Sequence, residues 1–470
     1  MMATTVRRAA RIGLVALAAL LAAGVLPVGK LTTTASAGMK LDIDKELSLL
    51  RDGRAQVHIG KARYRFAVFS FDDPDGTGLG NAVAGILSHD LLMNSKVNSI
   101  GVLRYVGGLG TASGERQLRY FDKVEPLIES QGVQVAVWGT IRRSGDKVQI
   151  DSFTQLSPSV VRSAFSYTYR LPAAMGGGRL VHRVAPDRML AQRLSLTAEQ
   201  AQSLGAVAES LERMRAGPKD SKPFVGRLPL GSVYYLEQRQ GDWVKVGMQS
   251  GQGGWLRASG LCSGACAPLL AVSQFASGLM AYDDRGDMPD SNASLAPDAL
   301  AFIDQLWAVE VLNRTPANVA EDEAMYRLKR WCPAGDAEQG NENLPPGGAA
   351  TCNLRALVRL VGPLRRAARQ PSSGAPLSLD LVRSVADELA RASMSDPRHV
   401  PTLQNLATLF RVLGDAEREK LASRLADDAE SADHGAAGQT MPSPQPQPSE
   451  SQPPPRLPPD PLEQKLKRAD

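Results

Sequence analysis

The sequence predicts a multidomain chain: an α/β domain, a small β-barrel, an α-helical region and a disordered Pro-rich tail. Three observations predict it. Residues 61–172 alternate short apolar strands with amphipathic helical stretches. Residues 221–262 hold four short aromatic-rich strands separated by Gly-containing turns. Residues 267–430 carry apolar side chains at helical spacing. At 470 residues the chain is too long for one ordinary domain.

The first 37 residues have the layout of a secretory signal peptide. Arg7, Arg8 and Arg11 precede an apolar run from Ile12 to Val28, and Ala35-Ser36-Ala37 offers a small-residue cleavage site before Gly38. An uncleaved anchor is the alternative, but Pro27 interrupts a run already shorter than the ~20 residues that span a bilayer. No cysteine lies near the cleavage point, so a lipoprotein is not expected. The mature chain is expected in the periplasm or otherwise exported, with no spanning segment. Four basic residues and no acid fall in residues 1–37, out of a net charge of +5. The remainder is nearly neutral, which excludes a general nucleic-acid footprint.

The cysteines fit an oxidising compartment. Cys262 and Cys266 lie four apart, and Cys332 and Cys352 bracket a polar, Gly/Pro-rich stretch. Of the three possible pairings, proximity favours disulfides 262–266 and 332–352. A zinc site would need C-x-x-C-like pairs and nearby histidines, and neither is present, so no metal is expected.

In residues 61–172, Tyr64–Phe71 is a buried strand, Asp72–Gly76 a turn, and Leu79–Met93 a helix with Val83, Ile86, Leu87 and Leu91 on one side. Ile100–Leu103 is a second strand and Tyr120–Ser130 a second helix. Val133–Ile141 and Lys147–Phe153 form a hairpin about the turn Arg142-Arg143-Ser144-Gly145-Asp146, and Phe165–Leu171 is the last strand. Phe66–Asp73, Leu87–Leu92 and above all Val133–Ile150 carry a resemblance. The segment is similar to the TolB-like N-terminal α/β domain, and to related envelope domains of flagellar-assembly and curli-secretion lipoproteins. The resemblance implies a largely non-catalytic assembly or interaction role, and it transfers no site residues.

Residues 173–220 read as a linker with one helix. Ala173–Gly178 is Gly-rich, Thr197 and Gln200 form a capping-box pattern, and Gly217-Pro218 supplies a stop. In residues 221–262 the strands are Phe224-Val225, Ser232–Leu236, Trp243–Val246 and Gly254–Leu256. Leu228–Glu237, Gly241–Val246 and Gly253–Leu256 together resemble a bacterial Src-homology-3-type barrel. That resemblance implies binding of peptidoglycan or a peptide, with Tyr235, Trp243 and Trp255 as the candidate groove. The competing reading is that these rings fill the core of a barrel too small to do without them. It applies most directly to Trp243 and Trp255.

Helices are predicted at Ala267–Tyr282, Pro297–Leu312, Glu321–Trp331, Leu354–Ala368, Leu379–Ala392, Val400–Leu413 and Asp415–Asp428. The last two partly resemble a tetratricopeptide-type hairpin, without a 34-residue repeat. Residues 431–470, rich in Pro, Ser and Gln, cannot bury a core.

Signs of catalysis are thin. Gly76–Gly80 enters a helix but fits neither the dinucleotide nor the P-loop spacing. Asp72, Asp73 and Asp75 lack the remaining ligands of a calcium loop. His89-Asp90 lies on a helix without a nearby nucleophile in any recognisable setting, and a surface or packed residue is the simpler reading. No cofactor is expected. The favoured reading is a non-catalytic, exported envelope interaction or scaffold protein that contacts peptidoglycan or an envelope protein complex. The alternative is a cell-wall enzyme or enzyme accessory using the barrel to reach its substrate.

Overall fold

The computed structural model describes residues 62–105, 132–157, 160, 165–183, 189–228, 233–248, 251–258, 262–313, 318–332, 348–369 and 378–438. The expected signal peptide, the helix Tyr120–Ser130 and most of the Pro-rich tail lie outside these residues.

A ten-stranded mixed sheet organises the fold. Its centre is parallel: β1 (Tyr64–Phe69) pairs with β2 (Ile100–Tyr105) on one side and β3 (Val135–Ser144) on the other. β1 is buried almost throughout, as expected for a central strand covered on both faces. Between β1 and β2 runs α1 (Gly80–Asn94), and twelve of its residues are buried. The single apolar stripe predicted for it is therefore too narrow: sheet and helices enclose it, and small residues such as Gly80, Ala84 and Gly85 complete its circumference. The Gly145-Asp146 turn leads into β4 (Lys147–Leu156), with Gly145 at a φ of 64°.

The next strands depart from expectation. β5 (Ser166–Arg170) does not join the main sheet. It forms a separate hairpin with β6 (Arg179–Arg183), after a short 3-10 turn at Ala173–Met175. β7 (Met189–Thr197) then returns to the main sheet beside β4. The stretch read as a linker thus holds three strands, β6, β7 and, further on, Arg213–Arg215. The capping box of α2 (Ala198–Leu211) is formed as predicted, by Thr197 and Gln200. The helix stops earlier than Gly217, because Arg213–Arg215 becomes strand β8.

β8 pairs with β9 (Phe224–Arg227) and with β12 (Gly253–Arg257). β10 (Val233–Gln240), β11 (Trp243–Met248) and β12 form an antiparallel meander. Where the spacing predicts a separate barrel, the ladder instead continues from the centre. Val233, Tyr234 and Tyr235 on β10 pair with Leu103, Val102 and Gly101 on β2. An unpaired β2 edge and an unpaired β10 edge would each leave a row of backbone groups open, and joining them satisfies both.

A second 3-10 segment (Gly264–Leu269) runs into α3 (Leu270–Arg285). By length and composition Gly264–Arg285 could cross a membrane, but two thirds of it is buried, and it packs on α1. The other helices are α4 (Pro297–Asn313), α5 (Asn318–Lys329), α6 (Gly348–Arg369), α7 (Leu379–Ser395), α8 (Val400–Leu413) and α9 (Ala416–Gly438). Most follow the predicted positions, but α6 begins six residues before Leu354, and α9 runs ten residues past Asp428, so that 431–438, expected to belong to the disordered tail, continue the helix. Their shared core also takes in Tyr167, Leu171 and Leu180 from the β5–β6 hairpin.

Both disulfides form as paired by proximity, Cys262–Cys266 and Cys332–Cys352. Buried Cys332 and Cys352 pack on Ala392, stitching the end of α5 to α6 and α7.

One buried ion pair ties the centre together. Arg104 on β2 is 1% exposed and pairs with Glu212, the residue that ends α2. It also donates from Nη2 to the Asn81 carbonyl of α1 at 2.8 Å. Gly85 makes room: a Cβ there would lie 3.0 Å from Arg104 Nη2.

Glu212→Ala is expected to cost about 3–5 kcal/mol in urea unfolding, because it strands a buried guanidinium. The double replacement Arg104→Met with Glu212→Leu should cost clearly less than the single one. Replacing Cys332 and Cys352 together by Ala should cost about 3 kcal/mol, the chain-entropy value for a loop near 20 residues.

Candidate functional site

Strands β10 to β12 have two chemically different faces. Alternation places Tyr234, Val244, Val246, Met248 and Leu256 on one, and each is 0% exposed. Tyr235, Trp243 and Trp255 occupy the other and are half-buried. The core aromatic of the meander is thus Tyr234, and the reading that buries Trp243 and Trp255 in the core is corrected. Both tryptophans and Tyr235 share the face away from it.

Register defines the arrangement. Tyr235 lies opposite Gly247, Lys245 opposite Trp255, and Trp243 opposite Arg257. Arg215 on β8 is opposite Trp255 from the other side. Directly opposed side chains sit about 5 Å apart and diagonal ones about 7–8 Å, so the two tryptophans are diagonal neighbours. The Tyr235 ring rests on the bare backbone of Gly247, where a Cβ would lie 2.5 Å from the ring. A register shift between Leu236 and Gln238 marks a bulge at Glu237. That carboxylate accepts a hydrogen bond from the Tyr235 phenol and pairs with Lys245 Nζ at 2.8 Å. Burial, then the Glu237 charge, pushes the phenol up from its ordinary value, and Glu237 does the same for the exposed Lys245.

Three flat rings alternate with charges of both signs, including Arg257 and Arg215, which flank Asp220 at 3.9 Å each. The carboxylate is already shared between a phenol and an ammonium, and the phenol is held protonated.

Other residues singled out in the sequence have structural duties. His89 is buried on α1, with Nε2 3.0 Å from the Arg257 carbonyl of β12. Burial holds its pKa down to about 4, so it is a neutral packed residue. Its neighbour Asp90 bonds Ser273 on α3 and Asn94, and burial raises its carboxyl. The loop before α1 has the backbone amides of an anion nest, but the protein fills it. The Asp73 carboxylate accepts from Thr77 N at 2.8 Å and Gly78 N at 2.7 Å. Asp75 accepts from Arg143 N at 2.6 Å. These acids therefore brace the turn at the ends of β1 and β3.

The alternation gives a direct test. Tyr234→Ala should cost about 3–5 kcal/mol, as for other fully buried aromatics. Tyr235→Ala should cost under about 1.5 kcal/mol, because the residue is only half-buried on the face away from the core. Thermal and urea unfolding of the two variants, side by side, checks the order. Comparison with protein-family models, with curated proteins and with solved structures finds no match for this chain.

Proposed function

We propose that this protein is an exported cell-envelope interaction protein that grips peptidoglycan through the aromatic face of β10–β12. The single observation that carries the reading is the placement of Tyr235, Trp243 and Trp255 on the side of the meander away from its core. Flat rings stack on the apolar faces of sugar rings. Lys245, Arg257 and Arg215 offer donors to the carboxylates of stem peptides, and Glu237 offers an acceptor to hydroxyl and ammonium groups.

Two disulfides are compatible with an oxidising compartment. The resemblance of Leu228–Leu256 to Src-homology-3-type wall-binding modules, and of 61–172 to TolB-like envelope domains, supports the same assignment. In this reading no residue of the face is catalytic, and the helical region offers its surface to an envelope protein.

Co-sedimentation with purified peptidoglycan tests the proposal. The full chain should pellet with the wall material. Tyr235→Ala and Trp255→Ala should each weaken binding about tenfold, the equivalent of one stacking contact of ~1–1.5 kcal/mol. Binding by both variants as tight as that of the unaltered chain, with melting temperatures unchanged, would overturn it.

A further inference from the structure

The β5–β6 hairpin is held on the helical layer by side chains that imitate a neighbouring strand. Asn405 on α8 accepts from Val181 N at 2.6 Å and donates to Val181 O at 2.7 Å. Its second amide hydrogen goes to Asn353 Oδ1 on α6 at 2.7 Å. Asn353 in turn donates to Val181 O at 3.1 Å, and Thr408 donates to the Arg179 carbonyl at 3.0 Å. Both asparagines are 0% exposed.

Behind this grip lie two imidazoles. His182, next to Val181, is 1% exposed, and its Nδ1 faces Asn353 Nδ2 at 3.4 Å. Asn353 Nδ2 can only donate, so the contact requires an unprotonated Nδ1. His399 stands at the N-terminus of α8, one turn before Thr402 and two before Asn405. Its Nδ1 is 2.6 Å from Thr402 Oγ1. Among the described residues, neither His182 Nε2 nor His399 Nε2 has a hydrogen-bond partner.

We propose that the β5–β6 hairpin is an acid-released clasp, closed while His182 and His399 are both neutral and loosened from α6 and α8 when they gain protons. Protonation of His182 puts a hydrogen on Nδ1, donor against the Asn353 donor. Breaking that contact disturbs the amide that holds both Asn405 and Val181. Protonation of His399 places a cation at the positive end of the α8 dipole. Each charge also repels the other.

The surrounding groups do little to relieve this. Tyr167 on β5 is paired opposite His182 and stays neutral, with its phenol pushed up to about 12 and bonded to Arg365 of α6. Glu321 of α5 acts on that phenol. Among the described residues, Asp396, just beyond α7, is the counter-charge acting on His399. Even so, burial keeps the closed-state values at about 3 for His182 and about 4 for His399. Both lie below the free value of 6.5. The open hairpin therefore holds more protons between pH 6.5 and 4, and closure weakens as pH falls through that window.

Hydrogen exchange of the full chain, read by mass spectrometry and corrected for intrinsic rates, is the test. Between pH 7.5 and 5.0, protection of peptides covering 166–183 should fall by about thirtyfold for each imidazole, as linkage to a free value of 6.5 requires. Peptides from β3 and β4 should keep their protection. His182→Gln and His399→Gln should each remove about half of the effect on a logarithmic scale. His399 is less enclosed than His182, so its variant serves even if His182→Gln does not fold. Equal protection of 166–183 at the two pH values would overturn the proposal. So would an undiminished fall in His399→Gln, or loss of β3–β4 protection in step with the hairpin.

Discussion

The fold turns on a charge that has nowhere else to go. Arg104 lies on β2, between the parallel centre of the sheet and the antiparallel meander. Its guanidinium cannot reach water, so it must be neutralised inside. Glu212 does so from the end of α2, and the Asn81 carbonyl adds an acceptor from α1. Three elements are thereby fixed around one point. The position of Glu212 also sets where β8 begins, and its carbonyl accepts from Leu228 N at 2.9 Å, closing the β8–β9 excursion. The meander can dock on β2 only with its first turn and its last partner strand so placed.

That dependence explains why the sheet could not be read from sequence while its pieces could. β1, β2, the β3–β4 hairpin and the seven later helical stretches announce themselves by apolar runs, alternation or helical spacing. β6 and β7 do not: Arg179–Arg183 and Met189–Thr197 mix charged, polar and apolar residues. β6 is short, pairs only with β5 in its sheet and bonds asparagine side chains of the helices besides, and β7 is an edge strand with a register shift against β4. The pairing of β10 with β2 is a long-range event between two ordinary-looking strands, and local pattern carries no trace of it. The aromatic face was legible as a set of residues, Tyr235, Trp243 and Trp255, but not as a face. Adjacent tyrosines 234 and 235 must point in opposite directions. Which one faces the core depends on the register with Met248 and Gly247.

The same logic separates polar groups that brace from those that meet a partner. Asp73, Asp75, His89 and Asp90 each have a specific internal partner, and each closes a loop or joins two elements. Their spacing resembles that of reactive sites because tight turns and buried helices use the same short polar side chains. Asn353 and Asn405 go further, replacing a β-strand with two amides whose hydrogens are all engaged. Such a device is rigid, yet it depends on the donor or acceptor state of each neighbour. An imidazole beside it makes that state a function of pH.

Pre-organisation is what distinguishes the β10–β12 face from a patch of surface rings. Gly247 lets the Tyr235 ring lie flat on the backbone, and the Glu237 bulge brings a carboxylate to both the phenol and Lys245. Freezing a tyrosine and a lysine costs side-chain entropy that a partner would otherwise have to supply on binding. Here the fold has already met that cost through hydrogen bonds at half-exposed positions, where they return little stability. Ordering surface side chains without a stability gain makes physical sense if their order serves a ligand. The residues that hold the order, Gly247 and Glu237, are therefore as much a part of the proposed recognition surface as the rings themselves.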